Sequence, residues 1–542
     1  MKRIAIALLG ASAWGVLCAP AFADDAAIEQ RLDQMQRMID AQQRQIEAQK
    51  NEIGALKRAL GKHGVKVAQP VEAADSSAPA PLAARVDAQQ KQIDLALEKL
   101  EAQENSTRIA KQDSTTVTIV NGRPTITSPD GRFSLAIRAI GQHDNAYYMQ
   151  NKSALALAPA NGPDLSSGAN FRRAQLGIQG RVFADWFYNF NYDFAGASGT
   201  ETPGHIQAAY VEYDGLAPFV FRIGAYPASN GLEDNTASAD TIFLERNSPS
   251  DVARNIAGGD GRDGMGFIYA SDRVYAALSY TGDKIQDSGV FDEQQALIGR
   301  LSGLVYSKDD TNIVLSGSGT WVFKVADSAA GPKSPRPITL SDPPELTVDN
   351  TGTKLVTSGS INATNVWQWG IESGAQWENL YGQAGYFAYG IDQRSAPGAF
   401  NFNGWYAQAT WVITGESRTY NSATASFVNP KPRVPFSLAG DGWGAWEVAG
   451  RFSDMNFNDN PGVLGSPIPA GGDRGGDQRI WTFGLNWYPN SVIKFELQYQ
   501  NVDVSRIGTI PAVAGPGGHP AIPNAEVGQN FDTIAFRSQI SL

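Results

Sequence analysis

The chain has 542 residues, a formal net charge of −11 and only one cysteine, Cys18. A single cysteine excludes a fold held together by internal disulfide bonds, and the acidic balance gives no reason to expect a nucleic-acid partner. Twelve Trp, 18 Tyr, 24 Phe and 56 Gly occur with a mean hydropathy of only −0.28. This combination suits a transmembrane β-barrel, although a soluble β-solenoid shares it, so the residue pattern has to decide.

The first residues predict export. Two basic residues precede an apolar run from Ile4 to Leu17, and the small-residue pattern Ala21-Phe22-Ala23 follows. The run is too short to span a bilayer as a helix. We therefore predict a signal peptide over residues 1–23. The alternative is a lipoprotein signal that retains Cys18, which Leu17 disfavours because lipoprotein processing prefers a small residue before the cysteine.

The next segment has the repeat of a coiled coil. Its seam positions alternate in spacing between four and three residues: Ile28, Leu32, Met35, Ile39, Gln42, Ile46, Gln49, Ile53, Leu56 and Leu60. Such a seam needs a partner helix, and its isoleucine-rich positions suit a trimer. A single helix lying on another protein is the alternative. With an Ala/Pro/Ser linker at 70–81 and a shorter second seam, we predict coiled-coil segments over residues 24–112.

Beyond about residue 130 the apolar period changes from 3.5 to 2 residues. From Trp186 to Phe194, one face carries five aromatic side chains and the other carries Asn189, Asn191 and Asp193. A strand that faces lipid has such an aromatic face, so the three polar side chains should face water. The preceding segment alternates in the same way, with Arg173 and Arg181 on its polar face.

Short joints and long polar stretches divide this region into strands. The joints include Ala184-Asp185, Asp272-Arg273 and Pro489-Asn490, and the long stretches are 227–263, 324–363, 414–440, 455–476 and 504–528. Short turns on one rim and long loops on the other are typical of an outer-membrane barrel. We predict an all-β transmembrane barrel of about 16 antiparallel strands over residues 113–542. It should close on itself, because an open sheet would leave unpaired edges in lipid.

The region from about 117 to 542 resembles the phosphate-selective porin O and P family. The resemblance depends on the order of short stretches, among them Phe171-Arg172-Arg173-Ala174, Asn191-Tyr192-Asp193, Leu244-Glu245-Arg246-Asn247 and Gly484-Leu485-Asn486-Trp487-Tyr488. It implies a trimeric channel of about sixteen strands. It also implies that the third long loop, here roughly Pro227 to Asp263, folds into the lumen, where arginines and lysines attract anions.

The resemblance further implies particular site residues. Arg172 and Arg173 match the family's arginines, Asp193 matches its aspartate after Asn-Tyr, and Ser238 matches its loop serine. Asp234 departs from the family, because phosphate-selective members have a lysine at this position after Gly-Leu-Glu. An anion in place of a cation at a constriction reverses the local charge preference.

The loop charges suggest an eyelet. We hypothesise that the third loop brings four charged residues close to Arg173 and the other lumen arginines: Asp234, Glu245, Arg246 and Arg254. Facing acids and bases would set a transverse field across the passage. The alternative is that these loop charges pair with one another. Residues 1–120 carry equal numbers of acidic and basic side chains, so the acidic excess lies on the barrel region, partly on outer loops.

The sequence therefore predicts an outer-membrane porin, a water-filled diffusion channel for small ions and solutes, with its N-terminal segment in the periplasm. The anion preference comes only from the resemblance. A sugar-specific porin and an envelope tether, in which the coiled coil contacts peptidoglycan, are the alternatives. The four histidines lack catalytic partners at a recognisable spacing, so no enzyme, cofactor or metal is predicted. The predicted partners are outer-membrane lipid and two further copies of the chain.

Overall fold

The computed structural model describes residues 90–92, 94–99, 101–102, 114–120, 122–150, 163–196, 204–257, 259–285, 289–394, 398–440, 442–510, 512 and 518–542. The chain divides into two units, Met1–Asp113 and Ser114–Leu542. The described residues of the first unit are helical. The predicted signal peptide, the heptads from Ile28 to Leu60 and the linker lie outside the described residues. No helix among the described residues is both long enough and apolar enough to cross a membrane.

The second unit is a closed antiparallel barrel, as predicted. A hairpin of β1 (Thr116–Val120) and β2 (Arg123–Thr127) leads into the first barrel strand. The 16 barrel strands in the described chain are β3 (Ser134–Met149), β4 (Gly168–Val182), β5 (Trp186–Asp193), β6 (His205–Leu216), β7 (Phe219–Tyr226), β8 (Arg262–Ala270), β9 (Val274–Lys284), β10 (Gln295–Lys308), β11 (Thr311–Lys324), β14 (Ala363–Trp377), β15 (Leu380–Gln393), β16 (Ala399–Val412), β19 (Ala445–Asp459), β20 (Asp473–Tyr488), β21 (Ile493–Ser505) and β24 (Gln529–Ser541). Strand β24 pairs with β3 and closes the barrel.

The connections contain the remaining elements. Helices α1 (Leu232–Asn235) and α2 (Ser248–Ala257) lie between β7 and β8. Three short hairpins are β12 (Ser341–Asp342) with β13 (Val356–Thr357), β17 (Thr419–Asn421) with β18 (Ser426–Val428), and β22 (Ile507–Ile510) with β23 (Ile522–Glu526).

The side chains alternate between the lumen and the outer wall as the period of 2 predicts. On β5, Asn189, Asn191 and Asp193 are buried inside the barrel, whereas Trp186 and Phe190 are exposed on its outer surface. Exposed apolar side chains on the outside of a barrel are those that meet hydrocarbon. The alternation therefore defines a lipid-facing wall and a polar interior.

A β-bulge turns two consecutive arginines inward. In the pairing of β3 with β4, Gln142 lies opposite Arg173 but His143 lies opposite Phe171, so Arg172 is the extra residue. Both arginine side chains are consequently buried on the lumen side. Regular alternation would have directed one of them into the lipid.

The two rims differ in the length of their connections. The short turns 183–185, 217–218, 271–273, 309–310, 378–379 and 489–492 lie on the rim where β3 begins and β24 ends. We call this the short-turn rim. The opposite, long-loop rim carries residues 227–261, 325–362, 460–472 and 506–528. The loop predicted after the fifth strand is thus confirmed, with β8 beginning at Arg262.

One connection contradicts the prediction. Residues 414–440 were expected on the long-loop rim, but the connection from β16 to β19, residues 413–444, lies on the short-turn rim. Strand β16 ends at that rim, and its direct antiparallel pairing with β19 requires the chain to return from the same place. The length of a connection does not determine its rim. The entropic cost of closing a loop rises only slowly with loop length, so a long connection can occur on either rim.

Three connections fold into the lumen. They are the constriction loop (residues 227–261), the second inward loop (residues 325–362) and the rim segment (residues 413–444). The largest apolar cluster joins α2 and the second inward loop to the inner wall: Val252, Ala253, Ile256, Leu346, Val348, Leu355, Phe387, Tyr389, Phe402 and Tyr406. The core of this barrel therefore lies inside its lumen, between loops and strands.

We predict that the two faces of neighbouring strands tolerate charge differently. Phe190→Arg places a cation in hydrocarbon and should lower the free energy of unfolding by about 2–4 kcal/mol in lipid vesicles. Gln179→Arg, on the lumen face of β4, is the matched control, because Gln179 pairs with Asn189 beside it. Chemical unfolding in vesicles measures both variants, and equal losses would contradict the assigned faces.

Candidate functional site

The constriction loop is held across the lumen by donors and acceptors of the barrel wall. Glu372 of β14 accepts the backbone N–H of Leu232 at 2.5 Å, at the start of α1. Lys494 of β21 donates to the carbonyl oxygen of Thr241 at 2.6 Å. Buried polar wall residues thus find partners on the loop instead of in water, and the loop position is fixed by them.

A chain of ion pairs connects the loop to the wall. Glu245 of the constriction loop lies 2.6 Å from Arg172 and 3.4 Å from Arg537, and Arg537 lies 2.6 Å from Asp144 of β3. Burial opposes ionisation of Glu245, but the charges of Arg172, Arg537 and Arg173 outweigh it and hold the pKa of Glu245 below its ordinary value. Glu245 is therefore a permanent anion that neutralises wall arginines.

Asp234 makes its contacts within the loop. Its carboxylate lies 2.8 Å from Arg254 and 3.9 Å from Arg246, and its side chain is only 7% exposed. Burial raises the pKa of Asp234, although the two arginines oppose that shift. Arg246 also donates to the carbonyl oxygen of Thr236 at 2.9 Å. This geometry matches the alternative in which the loop charges pair with one another.

A charged cavity of about 550 Å³ lies on the long-loop side of the constriction loop. It is lined by both acids and bases, among them Arg172, Arg173, Glu245, Arg246, Arg254, Asp260, Lys284, Arg336, Asp342 and Lys354. Five predicted site residues come together here: Arg172, Arg173, Glu245, Arg246 and Arg254. Asp234 is not among the lining residues.

Toward the short-turn rim a second group of cations faces the interior. Arg138 of β3 and Arg123 of β2 lie close enough to affect each other electrostatically, and Asp240 of the constriction loop attracts Arg123. Arg138 forms no ion pair with any carboxylate of the described chain. Its inward orientation follows from the parity of β3, on which Ala136 and Ile140 are also buried.

The other predicted residues lie on the inner wall. Asn189 donates to the Tyr210 hydroxyl at 3.1 Å, and Asn191 donates to Gln207 at 2.8 Å. Asp193 accepts from Gln175 at 2.9 Å. Their hydrogen bonds run between neighbouring strands, so these residues order the inner wall.

Two further predicted residues lie elsewhere. Arg181 lies 2.6 Å from Asp214 beside the short turns, away from the loop cluster. Ser238 contacts the wall through its backbone, because its carbonyl oxygen accepts from Gln142 at 3.1 Å.

Sequence reasoning missed several buried charges of the lumen. Arg418 pairs with Glu447 at 2.8 Å, and Arg451 pairs with Glu345. Arg537 could have been predicted as a lumen residue, because it lies next to the outward Phe536 on the last strand and therefore faces the lumen. No sequence pattern indicated Arg418 or Glu345, because each lies on a connection whose inward path depends on tertiary packing.

Inward aromatic residues were also missed. Tyr389 and Tyr406 point into the lumen, but both are fully buried beneath the inward loops. The Tyr406 hydroxyl donates to Glu372 at 2.6 Å, and the Tyr389 hydroxyl donates to the Pro249 carbonyl oxygen at 2.6 Å. These rings anchor loops and offer no exposed aromatic stripe of the kind that a sugar-specific porin needs.

The comparison with known sequences identifies the family. The profile of the family described as phosphate-selective porin O and P matches residues 154–516. The chain belongs to this family. Porin O of Pseudomonas aeruginosa is 26% identical over 354 residues, which cover 63% of this chain and 78% of that protein. The chain is thus an outer-membrane porin that forms a diffusion channel.

Solved structures of outer-membrane proteins are similar at low sequence identity. OmpT of Vibrio cholerae, folded in vitro, is 9% identical with a TM-score of 0.43, covering 76% of this chain and 98% of that chain. The outer membrane channel DcaP of Acinetobacter baumannii is 11% identical with a TM-score of 0.40, covering 76% and 97%. An anion-selective porin from Comamonas acidovorans is 10% identical with a TM-score of 0.41, covering 76% and 100%.

We predict that Asp234 stabilises the loop. Asp234→Asn removes the carboxylate from a buried ion pair and should cost about 3 kcal/mol of local stability. The cost is at the low end for such a pair, because Arg254 keeps Asp260 as a partner at 2.5 Å. The amides of Asn235 and Thr236 should then exchange with deuterium about a hundredfold faster.

The matched control is Asp272→Asn, in an exposed turn between β8 and β9, which should leave this exchange unchanged. The reversal potential in a salt gradient is measured on the same variants. A shift of that potential toward anions in Asp234→Asn, with unchanged amide exchange, would instead place Asp234 in the ion path.

Proposed function

We propose that this porin prefers small anions, phosphate among them, and that the preference comes from lumen cations other than those around Asp234. The supporting observation is an imbalance in pairing. Five buried carboxylates of the lumen are bound by cations or by several donors, whereas several cations on the path have no carboxylate partner. A free cation in a narrow, low-dielectric passage attracts anions and repels cations.

Five acids of the lumen are stabilised by nearby donors. Asp144, Glu245 and Glu447 are each bound by an arginine, at 2.6, 2.6 and 2.8 Å. Glu372 accepts the Tyr406 hydroxyl and two backbone N–H groups of α1, and Glu496 lies 2.8 Å from Lys494. A carboxylate with such partners contributes little field beyond its own pair.

The cations on the path are less completely compensated. Lys284 lines the charged cavity, and neither it nor Arg138 forms an ion pair with a described carboxylate. Asp240 attracts Arg123 electrostatically without forming an ion pair with it. These side chains lie on both sides of the constriction loop. An anion that crosses the barrel would therefore meet a free positive charge before and after the narrow part.

Asp234 gives the reason to expect a weaker phosphate preference than the family implies. The lysine expected at this position is absent, and the acid that replaces it is sequestered by Arg254 and Arg246. That arrangement uses two potential anion-binding guanidinium groups within the loop. A general preference for small anions is therefore the function that we propose, with phosphate as one permeant ion.

We predict that Arg138 contributes to selectivity. A unit charge about 7 Å from an ion in water is worth about 0.6 kcal/mol, favouring an anion and opposing a cation by that amount, so Arg138→Gln should lower the anion-to-cation permeability ratio about sevenfold. Reversal potentials of the purified protein in planar bilayers under a salt gradient measure the ratio. The matched control is Arg479→Gln, because Arg479 lies on the outer wall, where its side chain is 54% exposed.

Equal permeability ratios for Arg138→Gln and the unmodified protein would remove Arg138 from the ion path. A cation-selective unmodified channel would contradict the proposed anion preference altogether.

The assembly is a further part of the proposal. We propose a homotrimer in the outer membrane, with a signal peptide at 1–23, coiled-coil segments at 24–112 in the periplasm and the porin domain at 113–542. The isoleucine-rich seam supports three strands, and the family resemblance supports a trimeric barrel. Contact of the coiled coil with peptidoglycan would be a second role of the same segment.

We predict that deleting residues 24–112 leaves a folded, conducting barrel, because barrel closure and the loop contacts described above all lie within residues 114–542. Single-channel conductance and heat-modified electrophoretic mobility measure pore and fold separately. Loss of conductance with retained fold would mean that the coiled coil forms part of the channel and that the proposed domain division is wrong.

A further inference from the structure

An apolar hairpin projects from the short-turn rim on the lipid side of the barrel. Its described residues are 434–440 and 442–443, near the end of the rim segment, and we call it the rim hairpin. The backbone N–H of Ser437 donates to the carbonyl oxygen of Gly442 at 3.2 Å, which closes the hairpin. Three of its large apolar side chains are exposed, with Leu438 at 95%, Trp443 at 72% and Val434 at 59%.

The rim hairpin continues the outer wall. The Phe436 ring packs edge-on against Trp487 of β20 at 5.2 Å between ring centroids, and Trp487 stacks on Trp446 of β19 at 5.4 Å. The indole N–H groups of Trp446 and Trp487 both donate to the carbonyl oxygen of Trp443, at 3.2 and 3.0 Å. The hairpin is thus fixed to the outward aromatic side chains of two barrel strands.

The outer wall beside this hairpin has a short apolar band. On β20, outward apolar side chains extend only from Trp481 to Trp487, because Asp477 and Arg479 face outward next. On β14, four strands away around the barrel, they extend from Trp367 to Trp377, with Ser373 as the one polar residue among them. At about 3.3 Å per residue and a tilt near 40°, these spans are about 15 Å and 25 Å tall.

The difference matters because the apolar band of an outer-membrane barrel is about 25 Å tall. The β14 wall meets that height by itself, and the β20 wall falls about 10 Å short. The same short span occurs on β19, from Trp446 to Phe452, and on β16 the outward apolar side chains extend from Trp405 to Ile413, which is about 20 Å tall. On all three strands polar residues block any extension toward the long-loop rim.

We propose that the rim hairpin supplies the missing apolar height and is embedded in the phospholipid leaflet at the short-turn rim. Its apolar side chains extend the band beyond Trp487, and the exposed Lys431 and Arg433 just before it suit anionic headgroups. Aromatic rings such as Trp443 favour this interfacial depth. The assignment of the leaflet to the periplasmic side depends on the proposed orientation of the barrel.

The rim segment therefore joins lipid to lumen. Its first part enters the barrel, where Arg300 donates to the carbonyl oxygens of Thr424 and Ala425 at 2.7 Å each. The backbone N–H of Asn429 donates to Asp240 of the constriction loop at 3.1 Å. Embedding the rim hairpin in lipid would therefore hold in place one end of the rim segment, whose residues Thr424 and Ala425 lie inside the barrel.

The test measures where a spin label at the hairpin tip resides. The full chain with Cys18→Ser receives Leu438→Cys, carries a nitroxide label and is reconstituted in vesicles of phosphatidylcholine and phosphatidylglycerol. Leu485→Cys, on the outward face of β20, is the lipid-exposed control. Leu464→Cys, 59% exposed on the long-loop rim, is the apolar control outside the band. Leu438 makes few contacts, so its replacement leaves the fold intact.

We expect the Leu438→Cys label to gain collisions with oxygen and to lose collisions with a water-soluble nickel chelate, as at Leu485. A label as accessible to nickel as that at Leu464 would overturn the proposal. A label protected from both reagents would also overturn it, because another protein surface, such as a second copy of the chain, would then cover the hairpin. None of these results depends on ion selectivity, which the reversal potential measures separately.

Discussion

The rest of this structure depends on one constraint: a backbone N–H or C=O group in hydrocarbon has no partner except another backbone group. Strand β24 therefore returns to β3, and no strand edge is left in the lipid. Closure in turn fixes the alternation of side chains. Alternate residues of a strand must suit lipid, and the residues between them must suit the interior. Each strand sequence therefore meets two separate requirements.

The inward-facing residues of this barrel serve packing as much as permeation. Three connections enter the lumen, and the wall meets them with buried ion pairs and apolar contacts. Arg537 is an example, since it binds Asp144 of the wall and also donates to the Leu244 carbonyl oxygen of the constriction loop at 2.6 Å. Removing one member of such a pair leaves a buried charge, which makes the loop position difficult to change. In the proposed function, selectivity comes from the cations that this network does not use.

The sequence predicted those features that repeat with period 2. The aromatic face of β5 and the inward Asn189 and Asn191 followed from alternation alone, and so did the approximate strand number. Strands such as β11 were harder to recognise, because Gly317 and Gly319 occupy outward positions and weaken the apolar signal. The bulge at Arg172 was also invisible, since one extra residue changes no composition and no spacing that a single sequence reveals.

The loops were predictable in position but not in path. The resemblance placed the constriction loop correctly, yet the partners of Asp234 depend on how α1 and α2 fold together, which sequence spacing does not determine. The rim segment was assigned to the wrong rim because its length resembled that of the outer loops. Only the direct pairing of β16 with β19 determines its side of the membrane.

The central claim is that uncompensated lumen cations set the ion preference. It is tested most directly by the reversal potential of the unmodified protein under a fixed tenfold salt gradient, measured at low and at high mean salt. The Debye length falls from about 30 Å at 0.01 M to about 3 Å at 1 M. The account predicts a clear anion preference at low salt that declines as screening increases. A cation preference at low salt, or a preference that does not depend on salt, would contradict it.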